Sequence, residues 1–173
     1  MALDNGLGLV PTLGWSSWNR YYTGVTEEVI RTQAAAFVAL NLSTAGYKSI
    51  HIDAGWLLPT RDHAGNLQVD PAKFPSGITA LSDYVHSLGL QLGGYTDLAK
   101  GSCGTGPGSL GFYEQDALWF ANVAKLDYLK VVDFAARMRT ASFEACIEYV
   151  ASVVTGCRLI SVAPALRRAV MTN

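Results

Sequence analysis

The sequence predicts an α/β fold built around a parallel β-sheet. Strand-like and helix-like segments alternate through four full units and part of a fifth, as a parallel sheet with right-handed crossovers requires. Three successive strands end in an aspartate, at Asp53, Asp97 and Asp133. The carboxyl ends of parallel strands share one edge, so we expect the three carboxylates to converge. That edge is either the rim of a (β/α)8 barrel or the edge of an open doubly wound sheet.

The first unit begins with a strand-like segment, Leu13–Trp18. Thr26 is a candidate N-cap because two glutamates follow it in the first turn, where they suit the helix dipole. Apolar residues at helical spacing then predict a helix to about Ser43. The second strand lies in Gly46–Trp56, whose β-branched and aromatic residues favour an extended chain, and it delivers Asp53 to its end.

The later units repeat this pattern. Apolar residues at helical spacing predict an amphipathic helix between Ser76, its candidate N-cap, and Gly89, which would end it. The elements predicted after it are a strand at 90–97, a helix behind the glycine-rich loop 101–111, a strand at Tyr128–Val132, a helix at 143–154 and a strand at 158–162.

Composition limits the classes of protein that fit. The chain has 173 residues, half of them hydrophobic, which is enough for one domain, whereas a complete eight-stranded barrel needs about 250 residues. We predict a barrel domain over 1–163 and a basic tail over 164–173. A net charge of −1 argues against a nucleic-acid partner. No transmembrane segment and no secretory leader are recognisable, so the compartment stays open.

Neither a metal nor a cofactor is predicted. The glycines of 106–111 fit a dinucleotide-binding pattern, but they lie too far from the preceding strand, and no acidic residue follows at the expected distance. Cys103, Cys146 and Cys157 are scattered, and no cysteine or histidine pair has the spacing of a zinc site.

Two kinds of side chain near the strand ends suggest a binding site. Trp18 and Trp56 could present ring faces for a sugar to stack on, or could pack in the core, and the sequence leaves both roles open. Lys130 lies inside the apolar strand YLKVV, where a buried ammonium needs a carboxylate partner. Asp97 and Asp133 are the candidates for that partner.

Five segments in this order resemble the melibiase-type α-galactosidase family of glycoside hydrolases: LDNGLGLVPTLGWSSWN, AGYKSIHIDAGW, FPSGITALSDYVHSLGLQLGGYTD, PGSLGFYEQDA and DYLKVVD. The resemblance covers about residues 3–133. It implies a (β/α)8 barrel, of which this chain would supply about four to five βα units. It also implies retaining hydrolysis of terminal α-galactosides by two aspartates, a nucleophile after strand four and an acid/base after strand six.

The resemblance also assigns roles to particular residues. By position, Trp18 matches a tryptophan that lines the galactose pocket, and Asp53 matches the first of two sugar-binding aspartates. The second aspartate falls on Ala54, so one hydroxyl-binding group is replaced. The predicted substrate-binding residues are Trp18, Asp53, Trp56, Tyr95 and Asp97.

The nucleophile position departs from the family pattern. The family reads Lys-x-Asp, but this chain has two valines between Lys130 and Asp133, so strict alignment places Val132 on the nucleophile. Residues two apart on a strand share a face and residues three apart do not. A β-bulge at Val131–Val132 would return Asp133 to the pocket beside Lys130. We therefore predict Asp133 as the nucleophile, with Lys130 beside it.

Two hypotheses about function follow. The chain is an α-galactosidase-like glycoside hydrolase, impaired because the family's acid/base would lie beyond Asn173. Alternatively it is a non-catalytic sugar-binding or structural subunit that assembles with another chain. A partial barrel exposes two sheet edges, so in either case we expect a homo-oligomer or a subunit of a larger assembly.

Overall fold

The computed structural model describes residues 11–102 and 106–132, together with the backbone of Arg158–Ser161. The helix predicted at 143–154 and the basic tail 164–173 lie outside these residues. Two 3₁₀ turns, at Tyr22–Gly24 and Leu42–Ala45, interrupt the connections. The elements in order are β1 (Gly14–Ser16), α1 (Trp18–Tyr21), α2 (Glu27–Ala39), β2 (Ser49–His51), α3 (Gly77–Ser87), β3 (Gln91–Asp97), α4 (Tyr113–Asn122), β4 (Tyr128–Val132) and β5 (Arg158–Ser161).

The five strands form one parallel sheet in the order β1-β2-β3-β4-β5. Each strand pairs with the strand that precedes it in the chain, and the order does not reverse among the described strands. A doubly wound sheet contains such a reversal, and a barrel wall does not. Of the two alternatives left open by the sequence, the described strands therefore follow the barrel order.

The helix α2 begins as predicted and ends earlier than predicted. Thr26 Oγ1 accepts a hydrogen bond from the Val29 N–H at 3.3 Å, which confirms the N-cap. Asn41 adopts a left-handed conformation with φ of +55°, a conformation in which helices commonly stop. The segment up to residue 45 therefore continues as a 3₁₀ turn. Trp18, predicted at the end of a strand, lies in α1 because the backbone of Ser17 is already helical.

The start of α3 is stabilised by a different helix. Ser76, the predicted cap, makes no side-chain capping bond. Its backbone N–H donates instead to Oε2 of Glu27, the first residue of α2, at 2.9 Å. Glu27 also accepts a hydrogen bond from Arg31 at 2.7 Å, so a single carboxylate joins the beginnings of two neighbouring helices. None of the helices in the described segments is long and apolar enough to cross a membrane.

The hydrophobic core lies between the sheet and the helices. Side chains alternate between the two faces of a strand, so one face of this sheet packs on the helices and the other carries small, polar and aromatic residues. That second, inner face includes Gly14, Ser49, His51, Tyr128 and Lys130. The core members are contributed by the strands β2, β3 and β4 (Ile50, Leu92, Leu129, Val131), by Ile52 directly after β2, and by the helices (Ile30, Ala34, Phe37, Ile78, Leu81, Val85, Phe120).

Candidate functional site

A buried ion pair lies at the carboxyl end of the sheet. Asp53, two residues after β2, is 3 % exposed, and its Oδ2 accepts a hydrogen bond from Lys130 Nζ of β4 at 2.7 Å. The Lys130 side chain is 28 % exposed, so the pair is reachable from the inner face. The sequence predicted Asp97 or Asp133 as the partner of Lys130. The described residues pair it with Asp53.

Backbone contacts fix the orientation of Asp53. Its N–H donates to Oγ of Ser17 at 2.9 Å, and its Oδ1 accepts a hydrogen bond from the Ala54 N–H at 2.8 Å. Ser17 is fully buried, and its own N–H donates to the carbonyl of His51 at 3.1 Å. The ends of β1 and β2 are thereby joined, and the carboxylate is held at the edge of the sheet.

Asp53 is ionised at every physiological pH. Burial would raise the pKa of the carboxyl group, but the approach of His51 and the hydrogen bonds from Lys130 and Ala54 outweigh it and lower the pKa to about 2. A group with this pKa is a poor proton donor at neutral pH. Asp53 can therefore accept hydrogen bonds from hydroxyl groups, but it does not suit the role of a general acid.

His51 is a site residue that the sequence analysis missed. Its Nε2 lies 3.6 Å from Asp53 Oδ2, which is longer than a hydrogen bond, and neither ring nitrogen has a hydrogen-bond partner among the described residues. The ring stacks on Tyr128, with centroids 5.2 Å apart. Burial lowers the pKa of His51, although the nearby carboxylate opposes this effect. The available signal was spacing, because residues 51 and 53 lie two apart on a strand and share a face.

Tyr95 and Asp97 of β3 adjoin the pair. Tyr95 is the register partner of Lys130, whose Nζ lies 5.4 Å from the centroid of the tyrosine ring. Asp97 is fully buried, and its Oδ1 accepts a hydrogen bond from the Ala99 N–H at 2.9 Å. The carbonyl of Asp97 accepts a further bond from the Ser109 N–H at 2.7 Å. Asp97 therefore organises the loop that follows β3.

The two predicted sugar-stacking tryptophans have different environments. Trp18 is half-buried and meets Tyr22 edge to face, with ring centroids 5.6 Å apart. Trp56 is 1 % exposed and packs against Trp119 and Phe120 of α4. Of these two tryptophans, Trp18 presents an accessible ring, whereas the position of Trp56 favours packing over sugar binding.

The end of β4 is regular. Its residues pair one for one with β3, from Gly93 opposite Tyr128 to Asp97 opposite Val132. The proposed bulge at Val131–Val132 is therefore wrong, because a bulge would place two residues of β4 opposite one of β3. Val132 lies on the same face as Lys130. Asp133, the predicted nucleophile, lies outside the described residues.

A second ion pair, which the sequence did not reveal, holds the surrounding loops. The guanidinium of Arg61 forms two hydrogen bonds of 2.6 Å to the carboxylate of Asp116 in α4. It also donates to the carbonyls of Gly65 and Gly108 at 2.8 and 2.9 Å, and it lies 4.0 Å above the ring of Phe112. Arg61 thus joins the loop after β2 to the glycine-rich loop before α4.

The arrangement suits the binding of a hydroxylated ligand. An ionised carboxylate accepts hydrogen bonds and an ammonium donates them. Trp18 offers an aromatic face, and it directly follows Ser17, whose hydroxyl accepts the hydrogen bond from the Asp53 N–H. No cluster of three or more metal-ligating side chains occurs in the described part of the chain.

Comparisons with known proteins agree with the fold. A family model described as alpha galactosidase A matches residues 10–160. The chain is 50% identical over 129 residues to an α-galactosidase of Coffea arabica, covering 74% of this chain and 34% of that protein. It is 41% identical over 131 residues to α-galactosidase A of Homo sapiens, covering 70% and 30%. The chain therefore spans about a third of the length of the curated relatives it matches.

Comparison with solved structures also finds similarity to α-galactosidases. α-Galactosidase I from Mortierella vinacea superposes with a TM-score of 0.82 at 30% identity, covering 92% of this chain and 42% of that one. The α-galactosidase from Saccharomyces cerevisiae, solved with raffinose, superposes with a TM-score of 0.80 at 32% identity, covering 92% and 36%. The predicted partial (β/α)8 barrel is thereby confirmed, and the chain belongs to the melibiase-type α-galactosidase family of glycoside hydrolases.

Proposed function

We propose that this chain binds the galactosyl group of terminal α-galactosides at the carboxyl end of its sheet, as the first half of an α-galactosidase active site. The Lys130–Asp53 pair carries the proposal, because it places a fixed acceptor and a reachable donor side by side at the edge where barrel enzymes bind substrate. Tyr95, Asp97 and Trp18 would complete the pocket.

Hydrolysis in this family pattern would use Asp133 as the nucleophile. Its carboxylate would attack the anomeric carbon while the glycosidic oxygen departs with a proton from a second carboxyl group about 5–5.5 Å away. Asp53 does not suit the second role, because its pKa of about 2 keeps it ionised. This candidate therefore assigns Asp53 to substrate binding, and it requires Asp133, which follows the regular end of β4, to form the bond.

A non-catalytic galactoside-binding subunit is the second candidate, and the regular end of β4 favours it. Val132 occupies the face of Lys130, where the family pattern requires a carboxylate, and a valine cannot form a glycosyl bond. In this case the chain would bind sugar and assemble with a second copy or another chain. Light scattering of the purified protein distinguishes a monomer from such an assembly.

Calorimetric titration with galactose tests the binding proposal. We expect Asp53→Asn to weaken galactose binding by roughly 10- to 100-fold, because a hydrogen bond to a charged group is lost. Asp62→Asn, which alters an exposed loop carboxylate, is the matched control and should bind as the wild type does. Unchanged affinity in Asp53→Asn would contradict the assignment.

Release of the aryl group from an activated aryl α-galactoside tests hydrolysis separately. Such a leaving group needs little acid assistance, so a functional nucleophile is detectable even without an acid/base. Activity abolished by Asp133→Asn would support the hydrolase. Galactose binding without any aryl release would support the non-catalytic subunit.

A further inference from the structure

The turn after α1 presents an aromatic side chain in a strained conformation. Tyr22 is 60 % exposed, and its backbone has φ of +48° and ψ of −125°. Residues other than glycine rarely adopt positive φ, and such strain persists only where the surrounding structure imposes it. Exposure of a large ring on a strained backbone indicates that the position serves something other than packing.

Contacts on both sides hold this turn in place. The Tyr22 N–H donates to the carbonyl of Trp18. Thr23 packs so closely on Gly55 that a Cβ at Gly55 would lie 2.5 Å from the Thr23 Cα. Lys73 Nζ then donates to the carbonyls of Thr23 and Gly55, at 2.9 and 2.7 Å. The Tyr22 backbone is therefore fixed before any ligand arrives, so ligand binding would lose little conformational entropy at this turn.

The turn lies directly against the proposed galactoside site. Ser17, at one end of the segment, accepts the hydrogen bond from the Asp53 N–H, and Thr23, at the other end, makes the contact just described. Both ends therefore touch the turn that carries Asp53. Between them, the ring of Tyr22 meets Trp18 edge to face and is the more exposed of the two.

We propose that Tyr22 is a stacking site for the leaving group of an α-galactoside, either a second sugar ring or an aryl group. This inference rests on the proposed galactosyl site at Asp53, Lys130 and Trp18. In the proposed pose, a group attached to the anomeric oxygen extends towards Tyr22, the exposed aromatic neighbour of Trp18. Tyrosine offers a rigid ring with an apolar face and a polar tip, which suits the C–H face of a sugar or the face of an aryl group.

Calorimetry with two ligands tests the proposal. Galactose reports on the galactosyl site alone, whereas a phenyl 1-thio-α-galactoside, which resists hydrolysis, also reaches the leaving-group site. We expect Tyr22→Ala to weaken binding of the thiogalactoside about three- to tenfold and to change galactose binding by less than about twofold. Tyr22→Phe should bind both ligands as the wild type does. Tyr47→Ala, which removes a tyrosine that precedes β2 and is 40 % exposed, is the matched control.

Comparing the two ligands distinguishes a failure of the proposed stacking site from a failure of the proposed galactosyl site. Equal binding of the thiogalactoside by the wild type and Tyr22→Ala would overturn the stacking site and leave the galactosyl site intact. Equal weakening of both ligands by Tyr22→Ala would also overturn it, because the ring would then support the whole turn. A wild-type chain that binds neither ligand would overturn the proposed function and this inference together.

Discussion

Two ion pairs among the described residues differ in how many of their donors have partners. Arg61 makes four hydrogen bonds, two of them to Asp116, and stacks on an aromatic ring. Lys130 makes one hydrogen bond, to Asp53, and its side chain is partly exposed. Arginine has a rigid fork that matches a carboxylate, whereas lysine is a point charge with three donors.

This difference separates a structural pair from the pair that we propose binds sugar. Four of the five N–H donors of the Arg61 guanidinium already have partners, so it has little left to offer a ligand. The Lys130 ammonium can donate to a ligand while it remains bonded to Asp53. A buried pair whose donors are mostly occupied maintains the loops, and a pair with spare donors at the edge of the sheet is free to bond to a ligand.

The largest expected effect is on stability, at the Arg61 pair. Asp116→Asn would leave the buried guanidinium without its counter-charge, and we expect the free energy of unfolding to fall by about 3–5 kcal/mol. Urea denaturation measures this change.

Asp83→Asn provides the matched control for this experiment. Asp83 pairs with Lys125 at 2.7 Å, but both side chains are exposed, so its loss should cost less than about 1 kcal/mol. Similar losses in the two variants would mean that burial does not distinguish the pairs, and the structural role of Arg61 would be rejected.

The second expected effect is a pH dependence at the Lys130 pair. The pKa of Asp53 is lowered from 3.8 to about 2, so its contribution to stability is complete above pH 4 and is lost as the pH falls towards 2. Because Lys130 is partly exposed, we expect this contribution to the free energy of unfolding to be roughly 1–2 kcal/mol.

The measurement is the urea midpoint of the wild type and Asp53→Asn at several pH values between 6 and 2.5. Other carboxylates titrate in both proteins, so the difference between the two curves isolates Asp53. The wild type should lose stability faster as the pH falls. Parallel curves would show that Asp53 is not held ionised by its neighbours.

The sequence predicted the fold well because the fold depends on local signals. The boundaries of β4 follow from a short apolar run, and the start of α2 follows from the hydroxyl of Thr26 and the acidic residues after it. The predicted end of α2 was wrong because a single left-handed residue, Asn41, ends the helix although the apolar pattern continues. Periodicity carries no information about such a backbone conformation.

The site was harder to predict because its partners are distant in sequence. Asp53 and Lys130 are 77 residues apart, and Arg61 and Asp116 are 55 apart, so no spacing rule connects them. The sequence showed that Lys130 needs a carboxylate, but the two candidates that it suggested, Asp97 and Asp133, did not include the observed partner, Asp53. Only the register of the strands shows which carboxylate lies within reach.

The smallest expected effect concerns His51, which lies behind the Lys130 pair. Burial lowers its pKa below the usual 6.5, so the folded protein resists protonation of a group that the unfolded chain protonates readily. Stability should therefore fall as the pH drops below 6.5, by at most about 1.4 kcal/mol per pH unit. His51→Leu should remove this slope and change stability at pH 7 by less than about 1.5 kcal/mol.

Urea midpoints between pH 7.5 and 5 measure the slope, and His63→Leu, which replaces an exposed loop histidine, should follow the wild-type curve. If the His51→Leu curve is also parallel to the wild type, His51 takes up a proton as readily when folded as when unfolded. A second positive charge would then lie within 3.6 Å of Asp53 and compete with Lys130 for the same oxygen. The Lys130 pair would in that case bind sugar less well in acid, and the two ion pairs would differ in their response to pH as well as in their hydrogen bonds.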